Sequence, residues 1–452
     1  MTSSNNRPSR RTFLKTATAA GAATALAGCA LFETDEAEEG VEGIPDDPFR
    51  IVHFTFESGP AAFYGEEAQN VVDMMTDRIN DRGGLVGERE VEVVDTIDED
   101  AGVESMRTSI RNIAQGDDAE MLMGIISSAN SLSVVPTADE NEIPFMNTIS
   151  GTYQLFEENP DLEYAVRTCA TNASGAIGAA RVIEQMDDVE TVATIDQDYA
   201  WGHDHRDLLV NALERIRPDI EIVETRTPEP FISDYSAHVS ALQDLEPDVV
   251  ASSLWGGDLS TFAGQAVDGG MFDDVGTVVF EGDAGAPLLR SLGGDTPDNI
   301  IMGGRGGYQP TFRYGADAEH REFVDEYFDR YDQMPGWGAY HEWATFKILE
   351  AGVEKFTSAT GNWPTGRQLM RTIRNIQVQT VHGTHPMTQA GGRQASAPAV
   401  FGTPVPYEDV DVGHEDPGHH VLTDFTFIPA HECNPPAGTA TFDWADQIEP
   451  VE

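Results

Sequence analysis

The chain has 452 residues and carries 78 Asp and Glu against 27 Lys and Arg, a formal net charge of −51. A field of that sign repels phosphate, which excludes a nucleic-acid binder built on a basic stripe and a polybasic membrane-surface protein. With 40 % hydrophobic residues and 21 Phe the chain can still fill a core, and its length suits two or three core-sized units.

Residues 1–28 contain no acid and four bases, Arg7, Arg10, Arg11 and Lys15. Arg10-Arg11-Thr12-Phe13-Leu14-Lys15 precedes Thr16–Ala27, twelve small and weakly apolar residues. A bilayer span takes about 20 such residues, so the run is predicted to be an export signal of the twin-arginine type. Leu26-Ala27-Gly28-Cys29 fits a lipobox, in which Cys29 is lipidated and becomes the first residue. Two acyl chains on one cysteine give stable anchoring. The mature chain would carry 78 acids against 23 bases, or −55. Such self-repulsion is screened in molar salt, where the Debye length is about 3 Å, so the composition predicts a halophilic protein. Residues 29–48, acidic and with little to bury, are expected to form a tether. Cys169 and Cys433 are then left, and the sequence leaves a disulfide and two buried free thiols equally open.

From Phe49 the chain alternates short β-branched runs with helical periodicity, the pattern of parallel sheets with crossover helices. Strands are predicted at Ile51–Phe56, Val91–Val94, Met121–Ile126 and Ile143–Met146. Between them Ala68, Val71, Met75 and Ile79, then Val103, Met106, Ile110 and Ile113, fall at helical spacing. A second alternating set has strands at Val189–Ile195, Ile220–Val223, Val249–Leu254 and Thr277–Phe280. Helices are predicted at roughly 317–331 and 340–357, and the last hundred residues are rich in Gly, Pro and His with short strand-like pieces. Two α/β lobes joined by a hinge follow, with ligands expected beyond the carboxyl ends of the strands.

Those ends carry distinctive residues. In the first set they are Glu57 to Gly65, Gly124 to Asn130 and Asn147 to Thr152, where small hydroxyl residues before helix starts suit a carboxylate. In the second set they are Asp196 to Gly202, Leu254 to Asp258 and Phe280 to Asp283, which bring aromatics and acids suited to an ammonium or an apolar body.

These residues resemble the extracytoplasmic solute-binding proteins of ABC importers for branched-chain (Leu/Ile/Val-type) amino acids, of the type I periplasmic-binding-protein fold, as a haloarchaeal-like lipoprotein. The resemblance runs from about Arg50 to about Val378. Its most specific stretch is Ser58-Gly59-Pro60-Ala61-Ala62-Phe63-Tyr64-Gly65, followed by Ile79-Asn80-Asp81-Arg82-Gly83-Gly84-Leu85-Val86-Gly87. Gly124 to Ser128, Tyr164 to Thr168, Asp198 to Gly202 and Pro247 to Val250 support it. The resemblance implies that Ser128 with its neighbour Ser127, Ser150 and Thr152 hold the α-carboxylate and amino groups. It implies further that Asp283 holds an α-ammonium, and that Tyr64, Trp201, Trp255 and Asp258 line the cleft. Thr148-Ile149 in place of Ser-Pro and the bulky Trp201 and Trp255 widen the ligand class to an amino acid or related amide.

The resemblance also implies a division into lobes, 49–167 with 306–378 and 168–305 with 379–430, before a C-terminal tail at 431–452. Expected partners are one small solute, permease subunits with separate ATPase subunits, and the membrane through the lipid. The chain is expected to act as a monomer, without cofactor or metal and not as an enzyme. A sensor of the same fold and an exported enzyme are the rival readings. His203 and His205, i and i+2 on a helix start, do not share a face, and His414, His419 and His420 cluster near Glu415 and Asp416 without metal-site spacing. Gly303-Gly304-Arg305-Gly306-Gly307 lacks phosphate-loop spacing and reads as a hinge or turn.

Overall fold

The computed structural model describes residues 40–451, apart from 117, 282–285, 307–310, 313–317, 381–382 and 411–419. Fifteen strands are seen among them. The first five are β1 (Phe49–Thr55), β2 (Val91–Asp98), β3 (Met121–Gly124), β4 (Phe145–Asn147) and β5 (Ala165–Arg167). Next come β6 (Thr191–Ile195), β7 (Glu221–Arg226), β8 (Val249–Ser252), β9 (Thr277–Glu281) and β10 (Ile300–Arg305). The last five are β11 (Gln377–Thr380), β12 (Gly383–Gln389), β13 (Gln394–Ala395), β14 (Ala399–Pro406) and β15 (His420–Ile428).

They form two sheets, in the orders β11-β12-β13-β5-β4-β3-β1-β2 and β15-β14-β10-β9-β8-β6-β7. Pairs from β1 to β5 and from β6 to β10 are parallel, while β11–β12, β12–β13, β10–β14 and β14–β15 are antiparallel. Central strands such as β3 and β8 are buried throughout, as uninterrupted apolar runs covered on both faces should be. Each sheet separates two apolar clusters. In the first lobe the helices Ala62–Asp81 and Trp337–Thr360 cover one face, while Val103–Gly116 and Ser128–Glu140 cover the other. In the second, Asn172–Glu184 and Ala200–Ile216 lie opposite Ser236–Leu245 and Gly256–Gly269. The α/β fold in two lobes, each a mostly parallel sheet flanked by helices, is thus the one its sequence predicts.

Three boundaries need correction. Residues 379–395 do not return to the second lobe, because β12 and β13 extend the first sheet, with Gln394 paired to Arg167 of β5. The chain therefore crosses between sheets at 168–171, beyond Gly306, and again at 396–398. Residues 41–47 of the expected tether are docked on the first lobe: Val41 bridges to Trp363, and Arg89 Nε donates to the Asp47 carbonyl. The segment 431–452 is docked on the second lobe, with Cys433, Thr441 and Ala445 buried. Both Cys169 and Cys433 are buried free thiols, which closes the disulfide alternative.

Candidate functional site

In a sheet whose order reverses beside its first strand, the loops leaving the neighbouring strands part and open a crevice. In both lobes those loops face the same space. The first lobe lines the cavity with Ile126 and Ser128 after β3, Gly151 after β4, and Trp337 at the start of its long helix. From the second come Tyr199 and Trp201 after β6, Trp255 after β8, and Arg305 at the end of β10. The enclosed space is narrow, about 10 Å³, room for about one water molecule, so any larger solute requires the lobes to part.

The backbone there is shaped for close approach. Gly124 has φ +115°, and a Cβ at this position would lie 2.0 Å from the Phe54 carbonyl oxygen. Ile125 follows at φ 74°, a conformation that costs energy for a branched residue and recurs at ligand sites. A Cβ on Gly151 would fall 2.4 Å from Trp201 Cζ3 and 2.5 Å from Arg305 Nη1, so only glycine admits both side chains.

Like Trp337 and Glu99, Arg305 is one of the residues that sequence reasoning passed over. Its side chain is buried; Nη1 donates to the Ala170 carbonyl at 2.6 Å and Nη2 to that of Ile149 at 2.5 Å. The guanidinium lies 5.1 Å from the Trp201 ring centroid and 4.8 Å from that of Trp337, within cation–π range of both. Trp201 is fixed by its Nε1–H donating to the Ser253 carbonyl, and Trp255 by Nε1–H donating to the Tyr199 hydroxyl at 2.6 Å. Tyr64, fully buried, packs its ring 5.9 Å from both Trp255 and Trp337. The two second-lobe indoles thus belong to an apolar cluster of the first lobe, an aromatic seam between the lobes.

The other sequence candidates divide. Ser128 lines the cavity, and its Oγ accepts the N–H groups of Gly151 and Thr152 at 3.3 and 3.2 Å. Ser127 instead caps its helix by accepting from Asn130 N–H. The amide nest expected to hold a ligand carboxylate there is filled by Glu99, which accepts from Ile126 N–H at 2.6 Å, Ser127 N–H at 3.1 Å and Asn130 Nδ2 at 2.9 Å. Burial pushes this carboxyl up to about 7, against the pull of those bonds. The Ser150 hydroxyl donates to Asn147 Oδ1 at 2.7 Å, and its N–H to the Ile125 carbonyl.

Thr152 donates its hydroxyl to Asp204 of the second lobe at 2.6 Å, alongside Gln154 Nε2 at 2.6 Å and Asn172 Nδ2 at 3.1 Å. These bonds tie the lobes together, and burial raises Asp204 to about 6. Asp258 is buried and accepts from Gln197 Nε2 and from Phe231 N–H at 2.8 Å, so its carboxylate organises the second lobe and is no part of the cavity lining. Asp283, Cys29, His414 and His419 lie outside the described residues.

Beneath the cavity His205 sits between two acids, with Nδ1 2.9 Å from Asp196 and Nε2 3.6 Å from Glu281. Burial alone would lower this histidine, but the two carboxylates raise it; burial lifts Glu281 to about 7. Among the described residues no group of three or more His, Cys, Asp or Glu is arranged to hold a metal ion.

Comparisons with known proteins agree with this architecture. Residues 7–27 match the twin-arginine translocation signal sequence. A Leu/Ile/Val-binding protein, BraC3, of Rhizobium johnstonii is 26 % identical over 193 residues, 43 % of this chain and 51 % of that one, so the match spans about half of that relative. Two solved structures superimpose with TM-scores of 0.72. One is the solute binding protein of an ABC transporter from Rhodopseudomonas palustris in complex with 3,4-dihydroxybenzoic acid, 20 % identical over 85 % of this chain and 98 % of that one. The other is a leucine-, isoleucine-, valine-, threonine- and alanine-binding protein from Brucella ovis in a closed conformation, 17 % identical over 87 % and 98 %. Residues 48–404 match the periplasmic binding protein family model, and with so much of the chain covered the protein belongs to that family.

Proposed function

We propose that the chain is the extracytoplasmic receptor of an ABC importer, which captures one small carboxylate-bearing solute between its lobes and delivers it to the permease. One observation carries this reading: the strand ends of both lobes converge on a single aromatic cavity, with Ser128 on one side and Arg305 on the other. Of the two solved neighbours described above, one binds amino acids and the other holds 3,4-dihydroxybenzoic acid, and a carboxylate is what those ligands share. Closure follows from the solute's better contacts in the closed state than in the open one. Micromolar capture corresponds to about 8 kcal/mol, within reach of a few charge-assisted bonds and one buried apolar body.

In this reading Cys29 carries the lipid that holds the receptor at the outer face of the membrane, and the acidic surface keeps it soluble in dense salt. Calorimetry in molar salt against a panel of amino acids, amides and small organic acids should give one ligand at 1:1. Small-angle scattering should show the molecule contract when that ligand is added. A panel without binding refutes the receptor reading. Cys29→Ser should release the exported protein into the medium; if it stays with the membrane, the anchor lies elsewhere.

A further inference from the structure

We propose that the cavity selects a planar carboxylate without an ammonium group, a benzoate-type anion, and that Arg305 sets this preference. The proposal rests on the receptor reading and narrows its ligand. In a chain of net charge −51, the one charged residue lining the cavity among the described residues is a cation. Arg305 is only 2 % exposed, and its Nη groups bond neutral carbonyls. Among the described residues it is bonded to no carboxylate, and its Nε–H has no acceptor. Glu281, the buried acid of the same strand layer, is turned toward His205. A second buried guanidinium, Arg167, lies beneath the same crossing and is likewise held by neutral oxygens, those of Gln394, Thr152 and Ser150. Glu281 acts on Arg305, and Asp204 on Arg167, through space without a direct bond. A buried positive charge whose described hydrogen bonds all go to neutral groups still favours an anion, and the low dielectric of a dry cleft strengthens that preference.

The same geometry disfavours the alternatives. An ammonium ligand would seek indole faces, but those of Trp201 and Trp337 already face the guanidinium. An α-amino acid brings an ammonium beside Arg305 and needs a free acid. Among the described residues no acid lines the cavity: Asp204 is engaged by Thr152, Gln154 and Asn172, and Asp258 accepts from Gln197 and Phe231 through one oxygen. What is left for the ligand's body is aromatic. Trp255 has Phe56, Tyr64 and Phe231 within 6.4 Å of its ring and Tyr199 fixed at its nitrogen, a surface that accepts a flat ring edge-on or offset.

Calorimetry in molar salt with benzoate, 4-hydroxybenzoate, leucine, phenylalanine and benzylamine decides the matter. Benzoate and 4-hydroxybenzoate should bind at 1:1, the two amino acids at least about tenfold more weakly, and benzylamine below detection. Arg305→Gln should weaken benzoate about tenfold or more, the scale of one bond to a charged group, with Arg305→Lys between it and the parent. Arg305 also ties the crossing segments, so thermal unfolding is recorded for each variant. Trp255→Leu, which leaves every bond of Arg305 in place, should weaken benzoate about tenfold as well. Leucine or phenylalanine binding as tightly as benzoate overturns the inference and leaves the receptor reading intact. A folded Arg305→Gln protein that binds benzoate like the parent also overturns it. If neither this set nor the wider panel yields a ligand, the receptor reading falls too.

Discussion

Gly151 shows how a single missing methyl group builds this cleft. With no Cβ, it lets Trp201 and Arg305 approach from the other lobe, and the side chain of alanine would push one of them away. Overpacking of this kind costs about 1–3 kcal/mol. Here the displaced groups belong to the cavity, so Gly151→Ala should weaken ligand capture about tenfold or more while moderately lowering the melting temperature. Calorimetry and thermal unfolding of one preparation separate the two effects, and unchanged affinity would show that Gly151 only fills space. At this scale the sequence was partly legible. Ser128, Trp201 and Trp255 were singled out because they follow strands and sit in a resembling motif, and the fold brings these three to the cavity, while Tyr64 packs behind Trp255 and does not line it. Arg305 was missed because Gly-Gly-Arg-Gly-Gly reads locally as a turn, and only the fold shows that its side chain reaches two indoles. Glu99 was missed for another reason: among 78 acids, Asp98-Glu99-Asp100 looks like solvated surface until its burial is known.

Between elements, the lobes are held by a polar latch as well as by the aromatic seam. Asp204, on the helix that follows β6, accepts from Thr152 and Gln154 of the first lobe, and Asn172 at the crossing completes its shell. Removing the Thr152 hydroxyl takes one of the three donors of a buried carboxylate, and removing the carboxylate takes the acceptor of the Thr152 hydroxyl, a loss of about 1–3 kcal/mol. Thr152→Val and Asp204→Asn should therefore each shift the lobes toward opening and weaken capture several-fold. Because they break one interaction, the double variant should cost less than the sum of the singles. Additive losses in a calorimetric double-mutant cycle would mean that Thr152 and Asp204 act separately. The alternation of strands and helices was readable because parallel strands buried on both faces announce themselves as apolar runs. The return of β12 and β13 to the first sheet was not, since it depends on Gln394 meeting Arg167, some 227 residues apart in sequence. Long-range pairing of that kind leaves no local periodicity to read.

The whole molecule carries its acids in two populations, and these respond differently to salt and pH. Exposed carboxylates repel one another, and molar salt screens them. The buried ones, Glu99 and Glu281 near 7 and Asp204 near 6, stand above their ordinary values of 4.5 and 3.8 because burial penalises their charge. His205 is raised above 6.5 by its two carboxylate neighbours. In every case the folded chain retains a proton that the unfolded chain has released, so the folded state binds more protons from about pH 4 to 7 through the carboxyls and above about 6.5 through His205. By linkage, stability then falls as pH rises through that window. Asp98 and Asp248, lowered by the hydrogen bonds they accept, act the other way only as pH falls below about 4. The melting temperature in molar salt should therefore be higher at pH 5 than at pH 8. Surface repulsion gives a slope of the same sign in dilute buffer, but salt removes that part and leaves the buried part. Glu281→Gln, which cannot ionise, should flatten the residual slope at high salt and leave the dilute-buffer difference largely in place. A melting temperature that rises from pH 5 to pH 8 in molar salt would mean that these buried carboxyls are ionised and paired, and the proton-holding interior argued from Glu99, Asp204 and Glu281 would have to be abandoned.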